Sequence, residues 1–125
     1  MTLRTPALAA AVLLLLACRE RAPIVEFDPG PVPAEHAEGE RLFEAGCARC
    51  HGRLAAGSDI GPPLVHVYYE PNHHADITFR RAVEFGVQQH HWSFGPMPPV
   101  AGLSGPEVDR ITAYIRWLQR RAGVY

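Results

Sequence analysis

Cys47-Ala48-Arg49-Cys50-His51 is the stretch on which the reading of this 125-residue chain turns. Two thiols three residues apart, followed directly by an imidazole, can serve three chemistries. A structural zinc site needs two further ligands at matching spacing, and the chain has no second cysteine pair. A thioredoxin-like redox pair expects a preceding strand and a βαβ context, and neither pattern is present. The third chemistry is covalent attachment of c-type haem. Each thiol can form a thioether with one haem vinyl group, and the adjacent histidine then lies where it can reach the iron. The motif therefore implies one covalent haem c held by Cys47 and Cys50, with His51 as an iron ligand.

Upstream of the motif the pattern is helical. Gly39, Phe43 and Cys47 recur at intervals of four and share one face of a helix from about Ala34 to Cys50. Glu35, Glu38 and Glu40 cluster in its opening turns, where a helix N-terminus favours negative charge. Downstream, an irregular stretch rich in Gly, Pro and His runs to about Ala75. A second helix is predicted with Asp76 as its cap, Phe79, Ala82 and Val83 as its buried stripe, and Gly86 at its end. From Val87 to Leu103 no period is visible, and Gly95-Pro96-Met97-Pro98-Pro99 can continue neither a helix nor a central strand.

The last helix is the clearest element. Ser104 and Glu107 make a capping box, and Pro106 is tolerated in the first turn. Val108, Ile111, Ile115 and Leu118 define its buried face, while Arg116, Arg120 and Arg121 are predicted to complement the dipole at its C-terminal end. No strand pattern competes. The expectation is an all-α domain over residues 35–122 whose long loops wrap a central cofactor.

At the N-terminus, a single Arg4 precedes an apolar run from Ala7 to Ala17, which reads as a signal peptide over residues 1–17 and implies export. Leu15-Leu16-Ala17-Cys18 resembles a bacterial lipobox, which would make Cys18 the lipid-bearing N-terminus; the alternative is an ordinary signal cut elsewhere. If Cys18 takes lipid and Cys47 and Cys50 take haem, no thiol remains for a disulfide. Residues 18–34, with prolines at 23, 29, 31 and 33, read as a semi-stiff tether. All twelve basic residues are arginine, set against thirteen acidic ones, so the domain is a poor nucleic-acid binder. No polybasic stretch is present, and membrane attachment falls to the lipid.

Two loops carry the remaining ligand candidates. Gly61-Pro62-Pro63-Leu64 follows ten residues after His51. A metal-bound histidine usually donates its other ring N–H to a fixed acceptor, and a proline carbonyl in a rigid turn suits that role. A plain loop turn is the competing reading. Met97, between prolines in an aperiodic loop, is badly placed to fill a core. As a thioether ligand to the iron it would favour the ferrous state and raise the reduction potential.

With these residues in order, the chain resembles a class I cytochrome c of the small bacterial monohaem type, over about residues 36–121. The resemblance rests on Gly39-x-x-x-Phe43 before CARCH, on GPPL, on the PMPP loop, and on Leu103-Ser104 leading to Ala113-Tyr114-Ile115-x-x-Leu118. It implies that the first and last helices cross, with Gly39 and Phe43 against Tyr114 and Leu118. It also implies that the carbonyl bonded to His51 is that of Pro62. Many members dock partners through a lysine ring, which this chain lacks.

Five of the seven histidines lie between His51 and Met97: His66, His73, His74, His90 and His91. They can be solvated or bond haem propionates. One could replace Met97 as sixth ligand. As a set, His73, His74, His90 and His91 could bind copper or zinc, or they could titrate near neutral pH. Trp92 and Phe94 are expected on the haem edge. The expected function is a one-electron carrier on the periplasmic side of a bacterial membrane. Its partners would be redox proteins such as a membrane oxidase or reductase, or another cytochrome. The rivals are a copper-handling haem protein and a small haem enzyme with a labile sixth ligand.

Overall fold

The computed structural model describes residues 22–125. The proposed signal peptide and Cys18 lie outside the described residues. Among the described residues four α-helices follow in order: α1 (Ala37–Gly46), α2 (Ala48–His51), α3 (Asp76–Phe85) and α4 (Gly105–Arg121). Short 3-10 turns at Ala34–His36, Arg53–Ala55 and Val67–Tyr69 punctuate the chain. Among the described residues the domain is all-α, as the sequence implied. The helix expected as continuous to Cys50 is interrupted at Cys47, whose φ of −114° separates α1 from α2.

The crossing of α1 and α4 organises the core. Gly39 makes it possible, because a Cβ there would lie 2.2 Å from the Arg110 carbonyl oxygen and 2.9 Å from the Tyr114 Cβ. With glycine in place, Phe43 and Tyr114 meet at 5.8 Å between ring centroids, both fully buried, and Leu118 belongs to the same cluster. Val108, Ile111, Ile115 and Leu118 are all buried, as their spacing predicts. At the start of α4 the Glu107 carboxylate accepts from the Ser104 backbone N–H at 2.8 Å and from its hydroxyl at 2.7 Å.

Three expectations change. Asp76 does not cap α3: Ala75 is the cap residue, and Asp76, in the first turn, instead accepts from Arg116 Nε at 2.8 Å. Arg116 is not a solvated charge at a helix end. It is buried, and its guanidinium donates to the carbonyls of Tyr69 (2.7 Å) and His74 and to Gln119 Oε1 (2.7 Å). The reason is position: Arg116 follows Thr112 by one turn, on a side of α4 that the 65–75 loop covers. Finally, the proline-rich stretch is laid against the domain from Ala22 onward. Val25, Phe27 and Val32 pack on the core, the Val25 N–H donates to Ala56 O, and Arg121 Nε donates to Pro29 O.

Among the described residues no helix is long and apolar enough to cross a membrane.

Candidate cofactor site

α2 delivers the attachment motif to one wall of a cavity of about 580 Å³, a ligand-sized space. Its helix end would leave carbonyls unpaired. The Ser58 hydroxyl donates to Cys50 O at 2.5 Å and the Gly57 N–H donates to His51 O at 2.7 Å, so the motif backbone is held from the next loop. That loop turns through Leu54 and Ala55, both at positive φ (57° and 54°). Such a conformation is strained for residues with a Cβ. It is held because Ala55 O accepts from the N–H groups of Leu64 and Val65, which returns the GPPL segment beneath His51.

His51 is buried, and its Nδ1 lies 2.9 Å from Pro62 O. A ring nitrogen facing a carbonyl must carry the proton, so Nε2 keeps its lone pair for a metal. Burial holds the imidazole below its ordinary pKa, against the opposing effect of the Pro62 bond, and so favours the neutral, ligating form. Cys47 and Cys50 are free thiols on the same wall. Burial, with a smaller effect from the Cys50 thiol, pushes the Cys47 thiol up to about 11.

Met97 lines the same cavity. Its loop has more order than the sequence suggested: Val87 and Met97 form an antiparallel bridge, each N–H donating to the other's carbonyl at 2.9 Å. Gly86, at φ +74°, permits this approach, since a Cβ there would lie 2.5 Å from Met97 O. The remaining walls come from Phe79, Ala82 and Val83 of α3, from Ile111 and Ile115 of α4, and from Trp92 and Phe94. The α3 stripe is therefore only half-buried by protein, because it faces the cavity. Trp92 is on this wall with its Nε1 buried, and its interaction with the Tyr69 hydroxyl opposes the burial that pushes that hydroxyl up to about 12. Apolar walls, two thiols and an anchored imidazole fit haem c.

At the rim of this cavity stand His74, His90 and His91, with His73 beside them. His74 Nδ1 faces Tyr68 O at 2.5 Å, and His90 Nδ1 faces Gln88 O at 2.9 Å. Burial first, then neighbouring histidines, lowers the pKa of His74 and His91. His66 stands apart, packed edge-on to Tyr68 and Trp92. Sequence reasoning missed Gln119, which is 0% exposed and donates to Leu64 O and Tyr69 O at 2.7 and 2.9 Å. Its signal was present: Ile111, Ile115 and Gln119 share one face of α4, so a polar residue stood on a buried stripe.

The profile of the Cytochrome c family matches residues 36–119. Cytochrome c-554(547) of Halothiobacillus neapolitanus is 32% identical over 88 residues, covering 66% of this chain and 96% of that protein. No solved structure matches the chain.

Proposed function

The chain belongs to the cytochrome c family, carrying covalent haem c and moving electrons, and from that premise we propose a single-electron carrier in which His51 and Met97 would hold the iron. One observation carries this reading. His51, with its Nδ1 committed to Pro62, and Met97, held by the Val87 bridge, line the same cavity as the two thiols. The haem supplies the reversible one-electron step between ferrous and ferric iron. The chain's own residues do the rest. Pro62 orients His51 and raises its basicity, the Met97 thioether favours the reduced state, and the apolar walls exclude water. With His51 and Met97 both given to the iron, no position would be left for a substrate, which favours a carrier over an enzyme.

Replacing Met97 by Ala is expected to lower the reduction potential and to let carbon monoxide bind the ferrous haem. An unchanged absorption spectrum and potential in that variant would show that another residue, such as one of the loop histidines, is the sixth ligand.

The lipobox-like sequence before Cys18 supports a location on the periplasmic side of a bacterial membrane, anchored through lipid on that cysteine. Residues 22–33, packed along the domain, then leave only a short reach between anchor and haem. Redox proteins are the partners, docking without a lysine ring. Cys18→Ser should move the holoprotein from the membrane to the soluble fraction; retention in the membrane would remove the lipid anchor from this reading.

A further inference from the structure

The histidine cluster beside the cavity has a geometry that solvated loop residues do not require. One ring nitrogen each from His73, His74 and His91 lies within 4.8 Å of the others. The ring centroids stand 4.7 Å apart for His73 and His74, 5.0 Å for His73 and His91, and 5.2 Å for His74 and His91.

The individual nitrogens point the same way. His74 Nδ1 faces Tyr68 O, so it carries the ring proton and Nε2 keeps a lone pair. This is the carbonyl-anchored arrangement that His51 shows with Pro62. His90 repeats it with Gln88 O, and its Nε2 lies 3.5 Å from His74 Nε2. Two lone pairs that face each other at this distance repel unless a proton or a cation stands near them. His91 Nε2 is buried and has no hydrogen-bond partner among the described residues, a costly state for a polar atom.

The platform beneath is built rather than loose. The N–H groups of His73 and His74 both donate to Glu70 O, at 3.0 and 2.8 Å. Arg116, rooted in the core helix α4, donates to the carbonyls of Tyr69 and His74. Tyr68 stacks on His91 at 4.7 Å.

We propose that His73, His74 and His91, with His90 at the edge, form a binding site for a divalent transition-metal ion at the rim of the haem cavity. The donor set is nitrogen only. It therefore suits copper(II) or zinc(II) and excludes calcium and magnesium, which need oxygen ligands. Three imidazoles leave a further position for water or an exogenous ligand. Between the two ions, copper(II) binds more tightly. The site is separate from the iron and goes beyond the electron-carrier reading.

The test is calorimetric titration of the oxidised holoprotein with copper(II) and zinc(II) salts in a buffer that does not chelate them. One equivalent of each should bind, copper more tightly. His73→Ala/His91→Ala should weaken binding by about 100-fold or more. His36→Gln, at a ring that packs on Trp117 instead, should leave it unchanged. The haem absorption spectrum, unchanged in both variants, shows that the fold and iron ligation persist. Absence of binding in the holoprotein would overturn the proposal and would mean that the histidines serve the haem carboxylates. Binding that survives the double substitution would overturn it equally.

Discussion

The crossing of α1 and α4 and the wall formed by α3 with its flanking loops are built on different physical terms. At the crossing, protein meets protein: Phe43, Tyr114, Ile115 and Leu118 are essentially free of solvent, and backbone approaches backbone over Gly39. On the other side α3 has no buried residue at all, with Ile77 58% and Phe85 67% exposed. Its attachments to α4 are largely polar: Arg80 pairs with Asp109, Asp76 pairs with Arg116, and the Arg116 guanidinium lies 5.0 Å over the Phe79 ring. Its apolar residues Phe79, Ala82 and Val83 face the cavity. One half of the molecule is completed by its own side chains and the other by the haem.

Removing the haem is the most severe way to break that asymmetry. Cys47→Ser/Cys50→Ser abolishes the thioether links, and on releasing the haem it should loosen α3 and the 87–101 loop well before the crossing. Local stability follows buried apolar contact, which α3 lacks without the cofactor. Hydrogen exchange should therefore show early loss of protection across Asp76–Phe85, with the amides around Phe43 and Tyr114 exchanging last. Uniform exchange along the whole chain would mean that the two halves are not energetically distinct.

A substitution at the crossing should act in the opposite sense. Gly39→Val would place Cβ within 2.2 Å of the Arg110 carbonyl, a backbone atom that cannot move aside cheaply. Overpacking of this kind costs about 3 kcal/mol. Denaturant unfolding of the holoprotein should register the loss as a lower midpoint, while the folded fraction keeps its haem absorption spectrum. An unfolding free energy within about 0.5 kcal/mol of the parent would show that the crossing does not depend on glycine.

The same division explains what could be read from the chain. The faces that meet at the crossing were legible because their residues obey local periodicity: Val108, Ile111, Ile115 and Leu118 repeat on one stripe, and Gly39 precedes Phe43 by one turn; that the two helices cross was implied by the family resemblance. The contact of His51 with Pro62 was legible because an attachment motif constrains its surroundings chemically. The far wall was less so. Asp76 looked like a cap because it precedes an apolar period, but its carboxylate is taken by Arg116, forty residues away. Arg116 looked like a dipole partner because nothing local shows that the 65–75 loop folds over it. The Val87–Met97 bridge left no pattern, being a single pair of residues set by Gly86. The misses at Asp76 and Arg116 are long-range polar contacts, and local pattern carries no record of such partners.

The cap of α4 gives the smallest effect and separates the halves by pH. The Ser104 hydroxyl and then its backbone N–H hold the Glu107 carboxyl below its ordinary value of 4.5. A carboxyl whose folded pKa is depressed binds protons less readily when folded, so its stabilising contribution is complete above pH 4.5. That contribution is lost as pH falls through the lower folded value. Glu107→Ala should therefore unfold more easily than the parent at pH 6, and the difference should shrink as the pH falls below 4.5. Because Glu107 stands at the start of the core helix, with Arg110 of α4 and Glu38 of α1 close enough to act on its charge, the loss should appear in global unfolding by denaturant. Metal titration of the histidine cluster at pH 7 should be the same in variant and parent. A gap between the two that persists unchanged at pH 3 would mean that the side chain acts by helix propensity rather than through its charge.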